Sequence, residues 1–494
     1  MSFLQALKLA TLLLVPLANA HPTGQEHDGL LVKTDLFTVR GILWPNSTDV
    51  RFFGGVPYAE PPIGEARFRP PITKRPTDQT INASWFGPSC IQYSNGQATV
   101  YSQYLKGFLL TPGQTQSEDC LTLNIWAPKA SAKKLPVMIW IHGGGFTSGG
   151  AASPYKYGDR LAKDQNVIVV AINYRLNIFG YPNAAALDGR HLNPGLLDHR
   201  KAVEWVFNHI SAFGGDPDRM TLFGQSAGAM GVDKYAYAWP TDPIVKAFIA
   251  QSGTASSGNS NDPINSNFTY VASQLGCSSS SKDEEFACMQ KKDATAIIEV
   301  YNKYNASANG GRSLSFNPSP DGITSFSNYT DRQVRGLFAK LPTIIAQVDN
   351  EGASLVAFNP AGPNQTAVDA FTRNIATCPG AQAALARKNF GVPVWRTRYF
   401  GEWPNLNPFP WLHAYHSSDI PMVFGTSDLL GPDTPTEAAT SKYIQDAWAA
   451  FARDPEKGLV WPKYDPTADT LVKLGFANQT GAVLDRGNAF DGLC

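Results

Sequence analysis

The sequence is short of charge. Asp, Glu, Lys and Arg make up 17% of its 494 residues, below the usual quarter, and the 41 acids balance the 41 bases. With no net charge, nothing draws the chain to nucleic acid or to an anionic membrane surface. Uncharged polar side chains and glycans are expected to cover the surface instead. The six cysteines contain no C-x-x-C pair, which argues against zinc. Beyond the first twenty residues no apolar run reaches the length of a transmembrane helix, so no integral membrane association is expected. The last residues, Phe490-Asp491-Gly492-Leu493-Cys494, offer no hydrophobic tail for a lipid anchor. There is no internal repeat, no long low-complexity run and no linker between two compact halves. The expectation is one domain over residues 21–494, long enough to bury roughly 75% of its unfolded surface.

What is there begins with an export signature. Lys8 supplies a positive charge, residues 9–17 form a short apolar run, and Ala18-Asn19-Ala20 is an A-x-A cleavage site. Residues 1–20 read as a secretory signal peptide, with His21 opening a secreted, extracellular chain. In that compartment the even set Cys90, Cys120, Cys277, Cys288, Cys378 and Cys494 favours disulfides. Six cysteines allow about fifteen pairings, and spacing alone does not choose among them. Seven N-x-S/T sequons, at Asn46, Asn82, Asn267, Asn305, Asn328, Asn364 and Asn478, are expected to sit in surface loops and to accept glycan.

Residues 31–56 alternate and carry β-branched side chains, with turn signals at Pro45-Asn46 and Gly54-Gly55; they read as an antiparallel meander. After a proline-rich stretch the pattern changes. Residues 137–141 and 167–172 are continuous apolar runs, as expected of parallel strands buried on both faces. Residues 198–213 have helical periodicity, and residues 220–223, 247–250 and 343–346 read as further core strands. Residues 441–451 read as a C-terminal helix. Residues 253–331 are rich in Ser, Asn and Gly and read as excursions over the sheet. Strands alternating with helices define an α/β architecture with a mostly parallel central sheet flanked by helices.

Two motifs carry chemistry. Gly224-Gln225-Ser226-Ala227-Gly228 is a G-x-S-x-G pentapeptide between a strand and a run of small residues that suits a helix start. This is the nucleophile-elbow pattern, which leaves one serine exposed at a sharp turn, at a helix N-terminus that favours developing negative charge. The second motif, His142-Gly143-Gly144-Gly145-Phe146, directly follows the strand at 137–141. A glycine triplet there lets backbone N–H groups approach a substrate, as an acyl-transfer oxyanion requires. Gly144, Gly145 and Ala227 are the expected oxyanion donors, and Ser226 the nucleophile.

Further stretches fill in the pattern: Gly55-Val56-Pro57-Tyr58-Ala59, Ser117-Glu118-Asp119-Cys120-Leu121-Thr122-Leu123-Asn124, Asn173-Tyr174-Arg175-Leu176, Asn193-Pro194-Gly195-Leu196-Leu197-Asp198 and Phe213-Gly214-Gly215-Asp216-Pro217. Together with the two motifs, they make the chain resemble the type-B carboxylesterase/lipase family, which includes cholinesterases and fungal lipases. The resemblance spans nearly the whole mature chain and implies an α/β-hydrolase fold. It implies Glu351, in Asp349-Asn350-Glu351-Gly352, as the acid and His416, followed by Ile420 and Val423-Phe424-Gly425, as the base. Asn350 departs from the Asp usual there, Asp349 is a rival acid, and His413 lacks the family register. The resemblance also implies the pairs Cys90–Cys120, Cys277–Cys288 and Cys378–Cys494. The mechanism it implies needs no metal or cofactor.

Two departures narrow the substrate. Many relatives have Glu before the serine, where this chain has Gln225, and the Cys90–Cys120 loop lacks the tryptophan that binds a quaternary ammonium in cholinesterases. Both argue against choline esters. Gln225, with the region around Phe316 to Ile323, is expected to contact substrate on the acyl side. Tyr93, Tyr101 and Tyr104 read as packing residues. Phe108, Leu109 and Leu110 form either an interfacial lid or a fixed wall, and the shortness of the run favours the wall. The leading expectation is a secreted serine carboxylesterase acting on neutral, moderately apolar small-molecule esters. The rivals are an interfacial acylglycerol lipase, an esterase or lactonase devoted to one secondary metabolite, and an esterase-like binding protein without catalysis.

Overall fold

The structure is a computed structural model that describes residues 29–93, 98–129, 134–260, 262, 265–304 and 314–494. The expected signal peptide and the Asn305 sequon lie outside the described residues.

Among the described residues, sixteen strands are numbered in chain order. A small sheet pairs β1 (Leu31–Lys33), β2 (Thr38–Arg40) and β5 (Thr80–Asn82), and a two-stranded one pairs β6 (Ser89–Cys90) with β7 (Gln116–Ser117). The remaining strands are β3 (Ile42–Trp44), β4 (Ser47–Pro57), β8 (Thr122–Pro128), β9 (Leu135–Ile141), β10 (Ile168–Ile172), β11 (Gly215–Gln225), β12 (Ala247–Gln251), β13 (Thr343–Val348), β14 (Val394–Tyr399), β15 (Asp469–Leu474) and β16 (Ala482–Arg486). They form one 11-stranded sheet in the order β16-β15-β14-β13-β12-β11-β9-β10-β8-β4-β3. Every pair from β15 through β10 is parallel, and antiparallel strands close both edges.

The parallel strands are buried on both faces because helices cover both sides. In β9, Val137, Ile139 and Ile141 enter one core, while Met138 and Trp140 enter the other. A strand packed on both faces has no polar face, which is why it reads as a continuous apolar run. The helix Pro194–His209 continues through a 3-10 turn, Ile210–Phe213. The C-terminal helix Pro435–Arg453 starts with a Thr434–Glu437 capping box.

Two expectations are corrected. Gly54-Gly55 is not a turn. β4 runs through it to Pro57, and its register against β8 shifts between Phe53 and Val56, a bulge that Gly55 permits with φ at +65°. Residues 253–331 carry three nine-residue helices, Ser266–Gln274, Lys282–Gln290 and Ala294–Asn302. Their Phe268, Phe286, Met289 and Ile297 join the core beside Phe68 and Phe179. The disulfides Cys90–Cys120, Cys277–Cys288 and Cys378–Cys494 are formed.

Candidate active site

β11 ends at Gln225, Ser226 turns with φ +59° and ψ −126°, and the helix Ala227–Ala238 begins. A left-handed serine is strained backbone, held by what surrounds it. Its N–H donates to the Gln251 carbonyl (2.8 Å) on β12. The two glycines of the pentapeptide are there for space. A Cβ on Gly228 would stand 2.0 Å from the Ile141 carbonyl, and one on Gly224 would stand 2.7 Å from Gly228. The helix can therefore sit directly on the end of β9, with its first N–H groups lacking intrahelical partners.

The His142–Phe146 loop leaves β9 against this elbow. A Cβ on Gly143 would lie 2.9 Å from Ser226 Cβ. Gly144 and Gly145 follow, exposed, with φ of +118° and +62°. His142 anchors the loop from behind. Burial pushes its imidazole down to about 3, so it is neutral, and Nδ1–H donates to the Gly143 carbonyl (2.8 Å). Its ring stacks on Tyr174, whose hydroxyl donates to the His142 carbonyl (2.9 Å).

Glu351 opens a 3-10 turn, Glu351–Ser354, after β13. His416 lies in the connection after β14. His416 Nδ1 and Glu351 Oε2 are 2.5 Å apart, both residues are buried, and Glu351 Oε1 accepts from the Val348 N–H (3.0 Å). Asn350 joins the two segments. Its Nδ2 donates to the carbonyls of Leu412 (3.0 Å) and Trp411 (3.3 Å), and its N–H donates to Ala414 O (2.9 Å). Asp349 is drawn off by Arg398 (2.8 Å), and His413 is exposed and paired with Glu402.

The expected residues Ser226, Ala227, Gly144, Gly145, Glu351 and His416 thus come together. Gln225 does not take its expected place. It is buried, and its Nε2 lies 2.9 Å from His416 Nε2, so it faces the imidazole rather than an acyl pocket. Gln225, the last residue of β11, is buried, while Ser226, one residue on, is partly exposed. Phe316 is buried against Tyr301, a core residue rather than an acyl wall.

Two further residues reach the His416 segment in ways that the sequence pattern does not show. Asp419, fully enclosed, is pushed up to about 6 by burial, with the Glu351 carboxylate adding to the rise. Gln251 donates to its Oδ2 (2.7 Å) and accepts from Trp448. Its position three residues after His416 was the only clue. Tyr101, read as packing, donates its hydroxyl to the His416 carbonyl (2.5 Å).

Phe108 and the backbone around it are tied to the residues beneath. Phe108 packs edge-on against Tyr155 (4.8 Å) and Tyr101 (5.6 Å). The Ser153 hydroxyl is bonded to the Gly107 and Phe108 carbonyls, and Thr111 N–H to Ala152 O (2.8 Å). Leu109 alone of the three is largely exposed, at 40%.

A serine at the tip of β11, a carboxylate after β13 and a histidine after β14, on a mostly parallel sheet flanked by helices, define the α/β-hydrolase fold. The chain belongs to the carboxylesterase family, whose profile matches residues 28–367, and it is a carboxylic ester hydrolase acting on a small-molecule ester. It is 41% identical over 489 residues to a chlorogenic acid esterase of Aspergillus niger, covering 94% of each chain. It is 35% identical to secreted lipase 5 of Gibberella zeae, covering 99% of this chain and 98% of the lipase. Among solved structures, a PNB esterase matches with a TM-score of 0.78 at 26% identity, covering 94% of this chain and 98% of that one. Among the described residues no helix is long and apolar enough to cross a membrane.

Proposed function

We propose that the protein is a secreted serine esterase that forms an acyl-enzyme on Ser226. The observation that carries this reading is the Glu351–His416 pair (2.5 Å) set beside the Ser226 elbow and the open Gly144-Gly145 backbone. His416 accepts the Ser226 Oγ proton as the oxygen attacks the ester carbonyl. Glu351 holds Nδ1 and stabilises the imidazolium. The oxyanion rests on the N–H groups of Gly144, Gly145 and Ala227, each worth about 3 kcal/mol to the transition state. His416 then protonates the leaving alcohol, and water repeats the sequence on the acyl-enzyme.

Neutral, moderately apolar esters are the proposed substrates. No carboxylate precedes Ser226 to hold a cationic substrate, since Gln225 stands there and is turned toward His416. The 41% identity to a chlorogenic acid esterase supports esters of an aromatic acid, with chlorogenic acid as the first to test. The likeness to a secreted lipase supports an interfacial reading, but the pinned wall around Phe108 weighs against a lid. Export is supported by three disulfides and by that secreted relative. N-glycans are proposed at the exposed Asn46, Asn82, Asn328, Asn364 and Asn478. Asn267 is left out: it lies buried in a helix, where a glycan has no room.

The test is hydrolysis of chlorogenic acid and of p-nitrophenyl esters from short to long acyl chains, by the wild type and Ser226→Ala. Expected are a preference for soluble esters, no jump in rate as substrate passes its solubility limit, and a loss in Ser226→Ala of at least about a thousandfold. A long-chain optimum that rises when droplets form would make the protein a lipase. Unchanged hydrolysis by Ser226→Ala would sink the acyl-enzyme.

A further inference from the structure

The loop closed by Cys90–Cys120 reaches over the site. Thr99 caps its short helix, Val100–Gln103, with Tyr101 on the inner side. The Tyr101 ring packs edge-on against Phe108 (5.6 Å) and Tyr415 (6.5 Å), a task a phenylalanine would perform equally well. The hydroxyl does something else. It lies 2.5 Å from the His416 carbonyl and 2.9 Å from Ser354 Oγ. A phenol has one proton, and a carbonyl can only accept. Tyr101 therefore donates to His416, and Ser354 donates to the Tyr101 oxygen. Ser354 closes the 3-10 turn that Glu351 opens. One hydroxyl thus joins the segment carrying Glu351, the segment carrying His416 and the disulfide loop.

The carbonyl it grips stands at a strained point. Ser417, the next residue, has φ +76°, a conformation unfavourable for serine. Without a partner for the His416 carbonyl, the peptide between His416 and Ser417 is free to turn and relieve that strain, and the imidazole turns with it. Burial raises the Tyr101 hydroxyl far above its usual range, so it remains a proton donor at any working pH.

We infer that Tyr101 is a positioning residue for the esterase reaction: its hydroxyl locks the Glu351 turn to the His416 carbonyl, and the Cys90–Cys120 loop thereby sets the aim of His416 at Ser226. The inference rests on the Ser226 acyl-enzyme reading. Misplacing a catalytic group by about an ångström costs on the order of a hundredfold in rate. Here Glu351 still holds Nδ1 when the phenol is gone, so the expected loss is smaller.

The test compares Tyr101→Phe, Ser354→Ala and the double variant with the wild type on a soluble short-chain p-nitrophenyl ester. Thermal unfolding and the rate of Ser226 labelling by an organophosphonate are followed alongside. In Tyr101→Phe, kcat is expected to fall about tenfold with KM within about twofold, and labelling to slow in parallel, because both need an aimed His416. Ser354→Ala is expected to lose about threefold, and the double variant no more than Tyr101→Phe, since both changes break one unit. An unchanged kcat in Tyr101→Phe, with or without a lower Tm, overturns the inference, as does a loss confined to KM. If Tyr101→Phe does not fold, Ser354→Ala decides alone, and an unchanged kcat there overturns it. Wild-type hydrolysis that survives Ser226→Ala is the failure of the acyl-enzyme reading. Ser226-dependent hydrolysis that ignores Tyr101→Phe is the failure of the clamp alone.

Discussion

Asn350 departs from the Asp that the family resemblance implies, and its surroundings suit an amide. Its Nδ2 faces two carbonyl acceptors, from Leu412 and Trp411. A carboxylate there would set acceptor against acceptor in a buried site, at a cost of about 1–3 kcal/mol. Asn350→Asp, although it restores the more usual residue, is expected to lower Tm and to slow hydrolysis by loosening the His416 segment from the Glu351 turn. Thermal unfolding and kcat check this, and a variant equal to the wild type in both would show that these bonds carry no weight. At this scale the sequence was legible wherever a residue type has one use. Ser226, Glu351 and His416 follow from motif and register; of the rivals, Asp349 is held by Arg398 and His413, which lacked the register, by Glu402. Gln225, Tyr101 and Asp419 were misread or missed because their roles depend on partners 191, 315 and 168 positions away along the chain. Local pattern holds no record of such distances.

The parallel strands were legible because both faces of β9 and β10 are buried, which turns each into an unbroken apolar run, while β11 is buried only from Met220 onward. β8 is just as buried but carries Thr122 and Asn124 among its seven residues, and that mixture hid it. Asn124 is there for a reason: its Oδ1 accepts from the Gly55 N–H (3.0 Å) at the β4 bulge. The three helices between residues 266 and 302 were missed for another reason. Each is nine residues long and buries only a few apolar side chains, too few turns for periodicity to emerge from a Ser- and Asn-rich stretch. Their stability comes from packing and from the Cys277–Cys288 bond rather than from propensity.

Across the whole molecule, the sheet fixes the distances between segments, and buried histidines tie its stability to pH. His199 sits beneath the elbow helix, edge-on to Tyr174 (4.4 Å), and neither ring nitrogen has a hydrogen-bond partner among the described residues. Burial pushes it down to about 3, with the nearby His142 adding to the fall. Unfolded, a histidine titrates at about 6.5. Between those values the unfolded chain binds the proton and the native one does not, so this residue's contribution is present above about pH 6.5 and is lost as pH falls toward 3. His199→Leu removes that dependence without breaking a hydrogen bond. The difference in Tm between variant and wild type is expected to move in the variant's favour as pH drops from 7 to about 4.5. A difference that stays constant would mean that His199 binds its proton equally in the native and unfolded states.

The central claim is that Ser226 is the nucleophile served by His416 and Glu351. Stoichiometric reaction with an organophosphonate, followed by intact mass and peptide mapping, tests it most directly. One adduct per chain, on the peptide that holds Ser226 and lost in both Ser226→Ala and His416→Gln, is the predicted result. An adduct on another residue, or esterase activity that survives full labelling of Ser226, would contradict it.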